Sequence, residues 1–294
     1  MVAVPQSFLS MPRWWHDEPG RAWLADLPEL VATKCATCRL ELDGDVTHGT
    51  NALVVPVRRS KEPAVLRVAP PGDDVATETA ALSHWGGRGV VRLLDVDLDA
   101  RASLLERLDP AQSLQDVPII EAVTILGGLT RLLAIPAPAS APSTAQIARD
   151  SAASFVAEWE AVGAPTSRGI VDAAVARASW LAEQPSSDES VDGDLHFEQV
   201  LAGRRHSWTV VDPVLLRGDR EYDVGRVLWS RLDELPEDRD VFRAFYAFVE
   251  AADVPAERAR AWVVVRSMSY LVWGLGRGLI WDPPKCIRLL GLFS

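Results

Sequence analysis

Two aspartates, Asp194 and Asp212, stand 18 residues apart in the stretches VDGDLHFEQVLAG and WTVVDPVLLRGDREYD. Each adjoins an apolar run that reads as a β-strand, so the pair is predicted at the ends of a hairpin. Gln199 brings a side-chain amide oxygen five residues beyond the first aspartate. A carboxylate can accept or orient the proton of an attacking hydroxyl. A second carboxylate with an amide oxygen can hold a hard divalent cation such as Mg²⁺. Phosphoryl transfer asks a protein for this set, because its task there is mostly positioning and charge stabilisation. Either aspartate alone is an ordinary turn residue; at this order and spacing the two form a candidate site.

The elements that would position these groups divide at Asp109–Pro110. Before it, RLEL (39–42), NALVVPV (51–57), AVLRVA (64–69), GVVRLLDVD (89–97) and SLLERL (103–108) read as strands. DDVATETAALSHW (73–85) between them reads as a helix with Val75, Ala81, Leu82 and Trp85 on its apolar face. The first two strands flank the polar turn DGDVTHGT and are expected to form a hairpin. After the division, LQDVPIIEAVTILGGLTRLLAIP, SAASFVAEWEAVG and RGIVDAAVARASWLAEQ read as helices, and the chain beyond the two aspartates is largely helical. The expected fold class is α+β: a small antiparallel β lobe with one helix over 1–108, then a larger α-rich lobe over 109–294.

The 294 residues, 48% of them hydrophobic, suffice for a sizeable core. Net charge is −11, from 30 basic and 41 acidic residues, which argues against a nucleic-acid partner and is compatible with a cationic substrate. The N-terminus lacks the cationic start and apolar run of a signal peptide. AWVVVRSMSYLVWGLGRGLIW is interrupted by Arg266, Ser267, Ser269 and Arg277 and reads as a buried helix, not a membrane span. Three cysteines fit a reducing compartment, so a cytoplasmic protein is expected. Cys35 and Cys38 form a CxxC, but no second pair or His cluster completes a zinc site. The 11 tryptophans are read as core.

The segments DGDLHFEQVLAG and VVDPVLLRGDREYDVG resemble the catalytic and metal-binding segments of the aminoglycoside phosphotransferase family, closest to its streptomycin 6-phosphotransferase and hydroxyurea phosphotransferase branch. GRAWLADLPELVA, ALVVPV, HWGGRGVVRLLDVD and LLERLD follow in that branch's order, so the resemblance covers all but roughly the first 20 and last 40 residues. It implies a bilobal protein-kinase-like fold, with a nucleotide-binding lobe over 1–108 and a catalytic, substrate-binding lobe over 109–294. The implied activity moves the γ-phosphate of ATP, or of GTP, to a hydroxyl of a small molecule such as an aminoglycoside-like antibiotic or natural product.

The implied site residues follow by position. Asp194 is the catalytic aspartate, with His196 supporting its loop. Gln199 and Asp212 are the Mg²⁺ ligands, and Asp223 braces the loop through hydrogen bonds. Arg67 grips the α/β-phosphates and is paired with Glu78. The turn with Gly49 and Thr50 covers the phosphates, and Glu106 and Leu108 lie in the hinge against the adenine edge. Three positions depart from the family pattern: Arg67 stands for a lysine, Gln199 for an asparagine and Asp192 for a histidine. These departures define an alternative reading, a pseudokinase that keeps the fold and binds a protein partner as a scaffold.

Overall fold

The computed structural model describes all residues except Met1, Pro12, Trp15, His16, Thr50 and Asn51. Two compact units are present: Met1–Asp109 with Gly203–Arg205, and Pro110–Ala202 with His206–Ser294.

In the first unit, α1 (Gln6–Leu9) precedes α2 (Glu18–Thr37). The Asp17 carboxylate caps α2 by accepting from the Gly20 N–H at 3.0 Å. Its buried Trp23, Leu27 and Val31 recur at helical spacing and join Phe8 and Trp14 in the core under the sheet. The sheet contains β1 (Leu40–Leu42), β2 (Thr47–His48), β3 (Leu53–Arg59), β4 (Glu62–Val68), β5 (Leu93–Asp97) and β6 (Ala102–Glu106). Its order is β1-β3-β4-β6-β5, all antiparallel, with β2 also on β3. Leu53, Val55 and Val57 of β3 and Ala64, Leu66 and Val68 of β4 are buried at every second position, so Arg67 is carried on the opposite face. The two-residue turn between these strands puts Ser60 and Lys61 at φ 51° and 73°, as a tight hairpin with right-handed twist requires. The helix α3 (Val75–Trp85) is capped by Asp74 and buries Val75, Ala81, Leu82 and Trp85, the face its sequence indicated.

Two strand expectations are corrected here. The polar turn 43–50 contains β2, a two-residue strand too short for any alternation to show. The fourth predicted strand begins at Leu93 and not at residue 89, because Gly86, Gly87 and Gly89 all have positive φ and carry the chain through an irregular turn after α3.

The second unit holds β7 from Pro110 onward (the strand runs Asp109–Ser113), α4 (Ile119–Leu133), α5 (Thr144–Ala161) and α6 (Arg168–Glu183). Four three-residue strands follow, β8 (Ser190–Asp192), β9 (Val200–Ala202), β10 (Trp208–Val210) and β11 (Leu215–Arg217). Helices α7 (Val224–Ser230), α8 (Asp238–Ala252), α9 (Ala256–Gly276) and α10 (Asp282–Phe293) complete it. The first helix of this unit is shorter than its apolar run suggests: Pro118 fixes its start, and Leu114–Asp116 form a separate 3₁₀ turn. Helices α4 and α8 pack at Gly127, where an added Cβ would lie 2.8 Å from Ala251 Cβ and from the Phe248 carbonyl oxygen. The α9 interior is buried through Trp262, Val263, Val264, Val265 and Met268. The apolar run ends at Gly276, and Ile280 and Trp281 beyond it are 71% and 81% exposed. So Trp281 is not core, unlike Trp14, Trp229 and Trp262. Among the described residues no helix is long and apolar enough to cross a membrane.

The expectation of one hairpin carrying both aspartates is overturned. β9 pairs with β10, and Asp212 lies just beyond that hairpin, whereas β8 pairs with β11 in register Asp192↔Leu215. The two carboxylate-bearing segments come from different strand pairs, joined where the Gly193 N–H donates to the Val214 carbonyl at 2.7 Å.

Candidate active site

Asp194 sits two residues past the end of β8, after a glycine. A Cβ on Gly193 would lie 2.6 Å from Leu216 Cδ1, so a larger residue there would have to displace the buried Leu216 side chain of β11. The Asp194 side chain is 41% exposed, and both of its oxygens have neighbours. Oδ1 accepts from Arg226 Nε at 3.0 Å. Oδ2 accepts from Gln199 Nε2 at 3.4 Å and lies 3.9 Å from His196 Nε2. Burial raises its pKa, while the guanidinium charges of Arg226 and Arg266 oppose the rise.

The backbone around Asp194 is held by two buried carboxylates. Asp192 Oδ1 accepts from the N–H groups of Asp194 at 3.2 Å and Val214 at 3.0 Å. Asp223, from the 3₁₀ turn before α7, accepts from the Leu195 N–H. Burial lifts Asp192 to about 7, and lifts Asp223 well above the usual carboxylate range. Arg266 on α9 donates to the Gly193 carbonyl at 3.3 Å and lies 3.7 Å from Asp223. It also stacks over the Tyr222 ring, 4.3 Å from its centroid. His196 is buried, and desolvation, with the Arg226 charge second, depresses its pKa to about 3. Its imidazole is therefore neutral near pH 7 and is not a proton donor of the imidazolium kind.

Gln199 belongs to the 3₁₀ turn Phe197–Gln199, and its carbonyl accepts from the Val211 N–H at 2.7 Å. That bond holds it beside Asp212, whose carbonyl its Nε2 reaches at 3.5 Å. Asp212 is exposed and has φ 55°, a left-handed conformation that aspartate and asparagine tolerate better than most residues and that clusters at functional sites. With its Nε2 directed at two oxygens, Gln199 leaves Oε1 buried without a hydrogen-bond donor. A cation is a partner that would satisfy such an oxygen. Asp212 and Gln199 together give one carboxylate and one amide oxygen. Among the described residues no group of three or more His, Cys, Asp or Glu side chains could hold a metal ion. Such a sparse oxygen set suits Mg²⁺, which keeps several waters and takes the rest of its shell from substrate phosphates. The residue types fit the ion once the Gln199 amide is turned over, since its nitrogen faces Asp194 and Asp212 here and the flipped side chain would present Oε1 instead.

In the first unit, Arg67 Nη1 and Glu78 Oε2 form an ion pair at 2.6 Å, each side chain 13% exposed. The pair links β4 to α3. Glu106, the last residue of β6, binds Arg205 through both carboxylate oxygens, at 2.9 and 2.5 Å, and accepts from the Arg92 N–H at 3.1 Å. Leu108 follows in irregular chain and is half-buried. Gly49 is exposed, and its N–H donates to the Ala52 carbonyl at 3.0 Å. Thr50 lies outside the described residues. Cys35 lies in the last turn of α2 and Cys38 caps it; both are free, and burial raises the Cys35 pKa away from the thiolate form.

Residue types and spacing pointed to Asp194, Gln199 and Asp212, and the family resemblance added Asp223; the four share one neighbourhood in the second unit. They did not reveal Arg226, Arg266 or Arg205. An arginine on a helix is most often solvated, and no local pattern marks one that turns inward.

Comparison with known proteins agrees in family and fold. A family model described as aminoglycoside/hydroxyurea antibiotic resistance kinase matches residues 38–278. Streptomycin 6-kinase of Streptomyces griseus is 34% identical over 279 residues, covering 92% of this chain and 91% of the relative. Hydroxyurea phosphotransferase of Kitasatospora aureofaciens is 31% identical over 297 residues, covering 97% of this chain and 84% of that one. Among solved structures, a ternary complex of a thermostable mutant of aminoglycoside phosphotransferase APH(4)-Ia with ADP and hygromycin B superposes with a TM-score of 0.66 at 16% identity, covering 92% and 99% of the two chains. At that identity the likeness speaks to the fold, which is protein-kinase-like.

Proposed function

The chain belongs to the aminoglycoside/hydroxyurea antibiotic resistance kinase family and is a small-molecule phosphotransferase; from that premise we propose that it transfers the γ-phosphate of ATP, with Mg²⁺, to a hydroxyl of an aminoglycoside-like antibiotic or related natural product. GTP is the alternative donor. The observation that carries the site assignment is the Gln199 amide, which spans the Asp194 carboxylate at 3.4 Å and the Asp212 carbonyl at 3.5 Å. It supports a single locus at which a proton acceptor and a metal-ligand pair act together.

In this reading the acceptor oxygen forms a bond to the γ-phosphorus as the bond from that phosphorus to the β–γ bridging oxygen breaks. The nucleoside diphosphate leaves with the electron pair. Asp194 orients the acceptor hydroxyl and takes its proton on Oδ2, since Oδ1 is committed to the Arg226 Nε–H. Arg226 is a positioning residue that turns the carboxylate and offsets the cost of its burial. Asp212 and Gln199 would hold Mg²⁺, which when bound neutralises charge on the β- and γ-phosphates. Arg67, oriented by Glu78, grips the α/β-phosphates through a planar fork that suits phosphate oxygens. Asp223 braces the loop, and neutral His196 packs beneath it. Backbone groups at Glu106 and Leu108 meet the adenine edge, and the turn with Gly49 covers the phosphates.

The first 108 residues serve as the nucleotide-binding lobe and 109–294 as the catalytic and substrate-binding lobe. The acceptor is a hydroxylated small molecule, and the net charge of −11 favours a cationic one. Three free cysteines favour a cytoplasmic location. The scaffold reading gains no support from the site: Arg67 keeps both its charge and its ion pair with Glu78. The test is incubation with ATP, Mg²⁺ and separate acceptors including streptomycin, hygromycin B and hydroxyurea, followed by mass spectrometry. A phosphorylated product that the Asp194→Ala variant does not make supports the reading. ATP binding without product from any hydroxylated compound in a broad panel would contradict it.

A further inference from the structure

A small cavity beneath the Asp194 loop is lined by Thr130 and Leu133 of α4, Ser190–Asp192 of β8, Leu195, Asp223 and Arg220, whose guanidinium is engaged by the Ala252 and Asp253 carbonyls and adds a positive charge that disfavours a cation. Its volume is about 10 Å³, roughly what one water molecule needs. Three oxygens of its lining have no hydrogen-bond partner: Thr130 Oγ1, Asp192 Oδ2 and Asp223 Oδ1. The residues are 7%, 3% and 2% exposed, so solvent does not serve these atoms. Ser190 Oγ is already committed, donating to the Leu133 carbonyl at 2.7 Å and accepting from the Ile135 N–H at 3.3 Å.

We propose that this cavity is a binding site for one structural water, bonded to Asp192 Oδ2, Asp223 Oδ1 and the Thr130 hydroxyl. Water both donates and accepts, so it serves two buried carboxyl oxygens and a hydroxyl whichever of them holds a proton, and three partners match the usual two to four of a buried water. Arg266, 3.7 Å from Asp223 Oδ1, is too far to replace it as a hydrogen-bond donor. A desolvated metal cation fits less well. Six or more oxygen ligands is its ordinary demand, and neither the space nor the lining supplies them.

The site has a consequence for the chemistry. The other oxygen of Asp192 holds the Asp194 and Val214 N–H groups, and Asp223 holds the Leu195 N–H. The water couples these two braces to each other and to α4, so Thr130 is a positioning residue for Asp194 although it lies far from it in sequence. That consequence rests on the kinase reading; the site itself does not.

The test uses the full chain and no substrate. A high-resolution crystal structure, with a rubidium soak alongside, is expected to show one water within hydrogen-bond distance of all three oxygens and no anomalous rubidium peak. Thr130→Ser keeps the hydroxyl and is expected to keep the water. Thr130→Val keeps the shape, removes the hydroxyl and is expected to lose it. Asp192→Asn can still hold the backbone N–H groups through its amide oxygen and turns its NH₂ toward the cavity, where a water can accept from it and a cation cannot bind it, so the water is expected to survive there. Amide exchange at Asp194 and Leu195 is expected to rise about fivefold in Thr130→Val, the loss of one hydrogen bond's support, and to stay near wild type in Thr130→Ser. A rubidium peak, a dry cavity, or equal exchange in the two Thr130 variants would overturn the proposal.

Discussion

The Asp194 loop and the Arg67–Glu78 pair are built on different principles. Asp194 is held by short carboxylates that bond to neighbouring backbone N–H groups, with Asp192 and Asp223 on either side of it. Neither brace has more than two rotatable side-chain bonds, so the loop has little room to shift. Arg67 and Glu78 meet at 2.6 Å through two long side chains carried on a strand and a helix. A long pair can re-aim at modest cost, whereas a displaced reacting carboxylate loses rate steeply. Arginine stands at the adjustable pair, where charge matters more than exact placement, and short carboxylates stand beside the loop, where placement decides.

The largest effect that could break this contrast is at Asp194. Asp194→Ala is expected to lower kcat by about 10³-fold or more while ATP affinity by calorimetry stays within about twofold. Equal loss of both would mean that the residue shapes the nucleotide site. Arg226→Ala comes next. Losing the Nε–H bond at 3.0 Å should cost roughly ten- to a hundredfold in kcat, with Arg226→Lys intermediate because it keeps the charge but not the geometry. Wild-type turnover in Arg226→Ala would remove it from the positioning shell.

Arg67→Lys should change kcat/KM by less than about tenfold, since the long pair can adjust. A large gain from near-zero activity would instead mark the native chain as a decayed enzyme. The smallest effect is on stability. Glu221 is buried beside Asp219, and burial raises its pKa from 4.5 to about 7. Because the folded state then binds the proton more tightly, its contribution is fully present below pH 4.5 and lost as pH rises through about 7. Glu221→Gln should therefore match wild-type Tm at pH 4 and exceed it by a few degrees at pH 8 in thermal melts. A gap that is the same at both pH values would contradict the shift.

How much was legible in advance follows from the range over which each signal acts. Alternation in β3 and β4 and the apolar face of α3 are local, and they placed Arg67 and Glu78 on adjacent elements. The motif around Asp194 and Asp212 was readable because its residues are close in sequence. The partners of β8 and β10 were not, because three-residue strands are too short for a period and their pairing is decided by tertiary contacts. Arg226, Arg266 and the Thr130 cavity also escaped. Each joins residues between about 30 and 90 positions apart through side chains whose type alone suggests an exposed surface or an ordinary helix interior.

The central claim is a live nucleotide and metal site at Asp194, Gln199 and Asp212. It is tested most directly by calorimetric titration of ATP with and without Mg²⁺, beside Asp212→Asn, a variant that tolerates the φ of 55° at that position. The account predicts Mg²⁺-dependent ATP binding that the variant loses. No binding at millimolar ATP, or binding indifferent to both Mg²⁺ and the substitution, would contradict it.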